Sequence, residues 1–67
     1  MTMHRLRKGA ETRSCESRAS ADGTRFELVV IRDGISHVES FSSLEAMVTR
    51  ERQLVGAWGA HGWKEDR

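Results

Sequence analysis

The sequence predicts an α+β fold, a β-hairpin followed by one long amphipathic α-helix (ββα), completed by homodimerisation. Three observations predict it. Residues 26–31 and 35–41 are β-rich runs joined at Asp33-Gly34; residues 42–62 carry a capped, one-sided helical pattern; and the chain is too small to bury both faces of a hairpin by itself.

The first run, Phe-Glu-Leu-Val-Val-Ile, is dominated by β-branched and aromatic residues, which suit a pleated surface. Asp-Gly between two apolar runs is a strong hairpin signal, because a type I′ turn needs positive φ at both central positions. A two-residue loop sets Arg32 opposite Ile35, Val30 opposite His37, Leu28 opposite Glu39 and Phe26 opposite Phe41. Opposed residues share a face, so the phenylalanine pair marks the better core candidate. The other face then holds Val29 with Val38, Ile31 with Ser36 and Glu27 with Ser40. A three-residue loop bulged at Gly34 would pair Ile31 with Ile35, but it would also oppose Glu27 to Glu39, and like charges directly opposite are unfavourable.

The helix starts at once. Ser42-Ser43-Leu44-Glu45 fits a capping box, with Ser42 as N-cap, Glu45 at N3 and Phe41 as the staple residue. At about 100° per residue, Leu44, Met47, Val48, Leu54, Val55 and Trp58 fall within one arc of roughly 120°. Gly62 suits the left-handed C′ position, which makes Trp63 the C″ partner of Trp58 in a Schellman ending. Gly56 and Gly59 weaken the helix by up to ~1 kcal/mol each relative to Ala. Glu51 is the one contradiction, a carboxylate at the centre of the apolar arc. Buried alone it would cost several kcal/mol or become protonated. It calls for a cation from the hairpin (His37 or Arg32), a partner chain's Arg50 or Arg52, or a role as a functional acid in a cleft.

The chain has 67 residues, 37% of them hydrophobic, and a net charge of +1. Residues 1–24 show no periodicity, and Leu6 is their only sizeable aliphatic after Met3. Five basic side chains there face three acidic ones. Such composition reads as a disordered or loosely docked basic tail, preceding a ββα domain over residues 25–67. Deleting residues 1–22 is then expected to leave the thermal midpoint nearly unchanged. A core confined to residues 25–67 is marginal, since chains below ~70–80 residues usually need disulfides, a metal or self-association. The single Cys15 cannot form an internal disulfide, and no spacing suggests a structural zinc site. Oligomerisation remains, and it fits a hairpin with two apolar faces. The basic start is followed by no apolar signal-peptide core, and no run approaches membrane-spanning length, so the expected location is cytoplasmic without membrane contact.

The order strand, strand, helix resembles that of a group of small bacterial proteins sharing an aromatic-led strand, an Asp-Gly turn, a return strand ending in Phe-Ser and a closing Gly-Trp. The matching positions are Phe26, Asp33-Gly34, Phe41-Ser42 and Gly62-Trp63. The resemblance implies the fold and carries over no activity.

No residue set has the pattern of a catalytic, cofactor or metal motif. His4, His37 and His61 are scattered, and a residue type without geometry is not a site. Cys15, between Arg13 and Glu16, has no companion His or Cys that would make it a nucleophile. Trp58 and Trp63 with Phe26 and Phe41 read as core at helical spacing. The expected function is a small non-catalytic, self-associating interaction or accessory module, with Val29, Ile31, Val38 and Glu51 at the interface and an additional protein partner allowed. The alternative is a nucleic-acid-binding protein whose Arg5, Arg7 and Lys8 meet phosphates, helped by the exposed sheet face. An enzyme ranks third, because there is no acid–base pair, nucleophile elbow or phosphate loop.

Overall fold

The computed structural model describes residues 2–66. Its order is β1 (Met3–Lys8), β2 (Glu11–Ala19), β3 (Phe26–Arg32), β4 (Ile35–Phe41), α1 (Leu44–Ala60) and β5 (Lys64–Glu65). The strands form one antiparallel sheet in the order β4-β3-β2-β1-β5, with four principal strands and a two-residue β5. The helix lies across one face. Among the described residues, no helix is long and apolar enough to cross a membrane.

The hairpin has the expected register, with Phe26 opposite Phe41, Leu28 opposite Glu39 and Arg32 opposite Ile35. Asp33 (φ 52°) and Gly34 (φ 75°) both take the left-handed conformation that a type I′ turn demands.

Residues 1–24 are the main correction. They are not a tail: β1 and β2 form a first hairpin ahead of β3–β4, and β2 pairs along the whole of β3 from Arg13 opposite Arg32 to Ala19 opposite Phe26. The division at residue 24 falls inside one continuous sheet. The physical reason is that β3 is buried at Leu28 and Val30, and a central strand needs a neighbour on each side. Cys15 lies beside Val30 and Ser17 beside Leu28, and both are fully covered. They are small enough to fit under the helix, and the apolar area they help to bury belongs to other segments. The turn between the new strands is Gly9-Ala10, with Gly9 at φ 62°, the sign a Gly-first two-residue hairpin loop requires. The link to β3 is organised by Asp22. Its carboxylate accepts from the Ser20 hydroxyl at 2.7 Å, the Thr24 amide at 3.0 Å and the Thr24 hydroxyl at 2.8 Å. These bonds, Ser20 first, hold its pKa down to about 2.

The core consists of Leu6, Cys15, Leu28, Val30, Met47, Leu54, Trp58 and Trp63, with Phe26, Phe41, Val48 and Val55 packed at its margin. The helix begins one residue later than expected. Ser43 is the N-cap, accepting from the Ala46 amide at 3.1 Å, so Glu45 sits in the first turn without closing a capping box. The end follows the sequence. Gly62 takes φ 90°, its amide donates to the Gly59 carbonyl at 3.1 Å, and the Trp63 amide donates to the Trp58 carbonyl at 3.0 Å. That is the bond pair of a Schellman motif. The Arg13 guanidinium covers the Trp63 ring at 4.3 Å and reaches Trp58 at 5.7 Å; Arg32 covers Trp58 at 5.7 Å. After the turn, β5 pairs with β1, and the Asp66 amide donates to the Arg5 carbonyl at 2.7 Å.

Burial pushes the Cys15 thiol from 9.0 up to about 11, with Glu51 and Glu39 adding to the effect. An acid whose folded pKa lies above its unfolded value favours unfolding once the unfolded form ionises. The stability linked to Cys15 is therefore intact below about pH 9 and lost as pH climbs towards about 11. Denaturant midpoints across that range should fall in the parent and stay flatter in Cys15→Ala. Alkylation of Cys15 should need denaturant, because the thiolate is the reactive form and the sulfur is covered.

Candidate functional site

Two surfaces hold the candidate residues, one on each side of the sheet. The first is the face turned away from α1. Strand alternation places Val38, Val29, Glu16 and Met3 in one row across β4 to β1, and Ser36, Ile31, Ser14 and Arg5 in the next. Val38 is 52% exposed, Met3 53% and Ile31 37%, and Val29 is half-buried between them. Among the described residues, nothing covers this apolar strip. Its border is charged: Arg18 donates to Glu27 at 2.9 Å, and Arg7 lies 3.3 Å from Asp66. Arg5, Arg7, Arg18 and Lys64 share the face with Glu16, Glu27 and Asp66, so the charges interleave. Lys8 is on the opposite face, with its stem beside Gly62, so Arg5, Arg7 and Lys8 do not converge.

The second surface is a groove of about 600 Å³ between α1 and the outer part of the sheet. Leu44, Val48 and Val55 form its apolar side, and Thr2, His4, Ser17 and Glu51 its polar end. Glu51 is only 8% exposed, and its partners differ from those expected. Arg32 lies over Trp58, and His37 is exposed on β4. Arg50 makes two bonds to Glu39 of its own chain, at 2.9 and 3.2 Å. Glu51 turns instead towards the start of the chain, where the Thr2 hydroxyl donates to its Oε2 at 2.8 Å. That commits the one hydroxyl hydrogen of Thr2, so in the 2.8 Å contact of Ser17 Oγ with Thr2 Oγ1 the serine donates. Ser17 Oγ in turn accepts from the Thr2 amide at 3.1 Å.

His4 stands between two acids, with Nδ1 3.1 Å from Glu65 Oε1 and Nε2 3.9 Å from Glu51 Oε2. A carboxylate only accepts, so Nδ1 carries the proton towards Glu65, and the Glu51 contact is too long for a hydrogen bond. Sequence reasoning missed Thr2, His4 and Ser17, because all three lie in the segment read as a tail. The signal that could have found them was the Gly9 hairpin turn, which brings Thr2 beside Ser17. His61 caps the helix end, exposed, away from this cluster. Among the described residues, no group of three or more His, Cys, Asp or Glu could hold a metal ion.

Glu51 accepts one hydrogen bond, from the Thr2 hydroxyl, and among the described residues no Lys or Arg pairs with it. Glu51→Gln should cost about 1 kcal/mol or less, the scale of one ordinary hydrogen bond, since the amide oxygen can still accept from Thr2. Thermal melts check this; a loss several times larger would show that His4 is charged against the carboxylate and that the pair staples α1 to β1.

Comparison with protein-family models, curated proteins and solved structures found no match, so the functional reading rests on the chain's own geometry.

Proposed function

We propose that the chain is a small non-catalytic interaction module that self-associates through the open sheet face, two copies packing Val29, Ile31, Val38 and Met3 against each other. The observation that carries the reading is the uncovered apolar strip on a sheet whose other face packs against α1. A stable interface buries about 800 Å² per partner, roughly a sixth of the 4619 Å² surface of this chain. Burial on that scale would offset the thinness of a core with one helix. The Arg18 and Glu27 pair at the margin lets a two-fold arrangement set unlike charges across the seam.

Sedimentation at micromolar concentration is the test, and a dimer is expected. Val38 is half-exposed in the single chain, so Val38→Glu should dissociate the dimer at least ~tenfold more readily without unfolding the protomer. A parent that stays monomeric at every concentration, or a Val38→Glu protein that dimerises unchanged, refutes the face-to-face assembly.

A second reading, nucleic-acid contact, draws on Arg5, Arg7, Arg18 and Lys64 sharing that face. The interleaved Glu16, Glu27 and Asp66 weaken it. Steeply salt-dependent retention on DNA would favour it, since phosphate contacts release counterions.

A further inference from the structure

The groove between α1 and the β1 side of the sheet has no part in the proposed dimer, because it opens on the opposite face. Its volume of about 600 Å³ lies within the range of small-molecule sites. Such sites pair an apolar lining with a few convergent polar groups, and Leu44, Val48 and Val55 lead here to Glu51. That side chain is nine-tenths covered, yet Thr2 satisfies only its Oε2. Among the described residues no donor reaches Oε1, although the residue lines the groove. Oε1 is not among the buried polar atoms left without a partner, so it is the oxygen free to accept from a molecule in the groove. The neighbouring charges sharpen the chemistry. His4 bonds to Glu65 at 3.1 Å and stands 3.9 Å from Glu51, so two carboxylates lie around one imidazole. The guanidinium nearest the groove, on Arg52, belongs to an exposed residue at the rim.

We propose that this groove binds a small amphipathic ammonium ion, its apolar body lying along Leu44, Val48 and Val55 and its N–H donors directed to Glu51 Oε1. Charge selects the head group. An ammonium supplies the missing donor together with a counter-charge, an alcohol supplies the donor alone, and a carboxylate would meet Glu51 with like charge.

The test uses the full chain and three probes of equal length, n-octylamine, n-octanol and n-octanoate, titrated at neutral pH and followed by amide chemical shifts. Octylammonium should bind at least ~tenfold tighter than octanol, octanoate should bind weakest, and the shifts should centre on Thr2, Val48, Glu51 and Val55. Glu51→Gln should erase the preference for the ammonium. Arg52→Ala removes an exposed side chain outside the core, which keeps the test sound should Glu51→Gln fold poorly. It should strengthen octylammonium binding. Equal affinity for all three probes, preference for octanoate, no binding, or an ammonium preference that survives Glu51→Gln would each overturn the proposal.

Discussion

Removal of residues 1–19 is expected to abolish cooperative folding. The deletion takes away Leu6, Cys15 and Ser17, all buried under or beside the helix, and leaves β3 with a neighbour on one side only. Burying a side chain such as Leu6 contributes about 1.5–3 kcal/mol. The deletion also exposes one flank of Leu28 and Val30 and removes the hydroxyl bonded to Glu51. A protein of this length has a total stability of roughly 3–10 kcal/mol, so losses of this size leave no margin. The truncated chain should lack a sigmoidal thermal transition and should exchange its amide hydrogens without protection. A truncated chain that melts as the parent does would mean that the first hairpin is an appendage, as the composition of residues 1–24 alone suggested.

Trp63→Ala should be the most damaging single substitution, at about 3–5 kcal/mol. Trp63 is 6% exposed although it follows the helix, and three structures meet on it. Its amide closes the Schellman motif on Trp58, its ring lies under Arg13, and it leads directly into β5. The backbone bond survives substitution, so the loss measures the ring and what the ring holds. Trp63→Phe keeps an aromatic face for Arg13 and should recover a large part of the loss, because cation–π attraction persists with a smaller ring. Urea midpoints for both variants check the order; an alanine variant within about 0.5 kcal/mol of the parent would show that the ring packs on nothing that matters.

The second hairpin and the helix were legible for a common reason. In residues 26–63 each local signal, turn chemistry, alternation and caps, agrees with the tertiary arrangement. The register from Phe26 to Phe41 and the ending at Gly62 and Trp63 followed from local rules alone. The N-cap differed by one residue because Ser42 and Ser43 are adjacent and both competent caps, and it is Ser43 that accepts from the Ala46 amide. The first hairpin was illegible because its inward positions are mostly small or polar, Thr2, His4, Arg13, Cys15 and Ser17, with a lone Leu6. None of these signals burial in isolation; Leu6, Cys15 and Ser17 are buried by what Leu28, Val30 and α1 bring. The open face was readable as a face, since Val29, Ile31 and Val38 alternate away from the phenylalanines. Glu51 was readable only as an anomaly, because its partners lie some fifty positions away in the segment that seemed to have no structure.

Two bridged residues of β5 cover the outer edge of β1, while β4 on the far side has no such cover. An uncovered edge offers unpaired amides and carbonyls to any chain that can supply a strand. Were both edges of the sheet open, copies could add head to tail, and a heterologous contact that does not close on itself grows as a fibre rather than stopping at two. By pairing with Leu6 and Arg7, β5 covers the middle of the β1 edge and makes a strand of two residues the outermost one on that side. The short strand after Trp63 therefore shortens the run of unpaired backbone that the β1 side of the sheet would otherwise present.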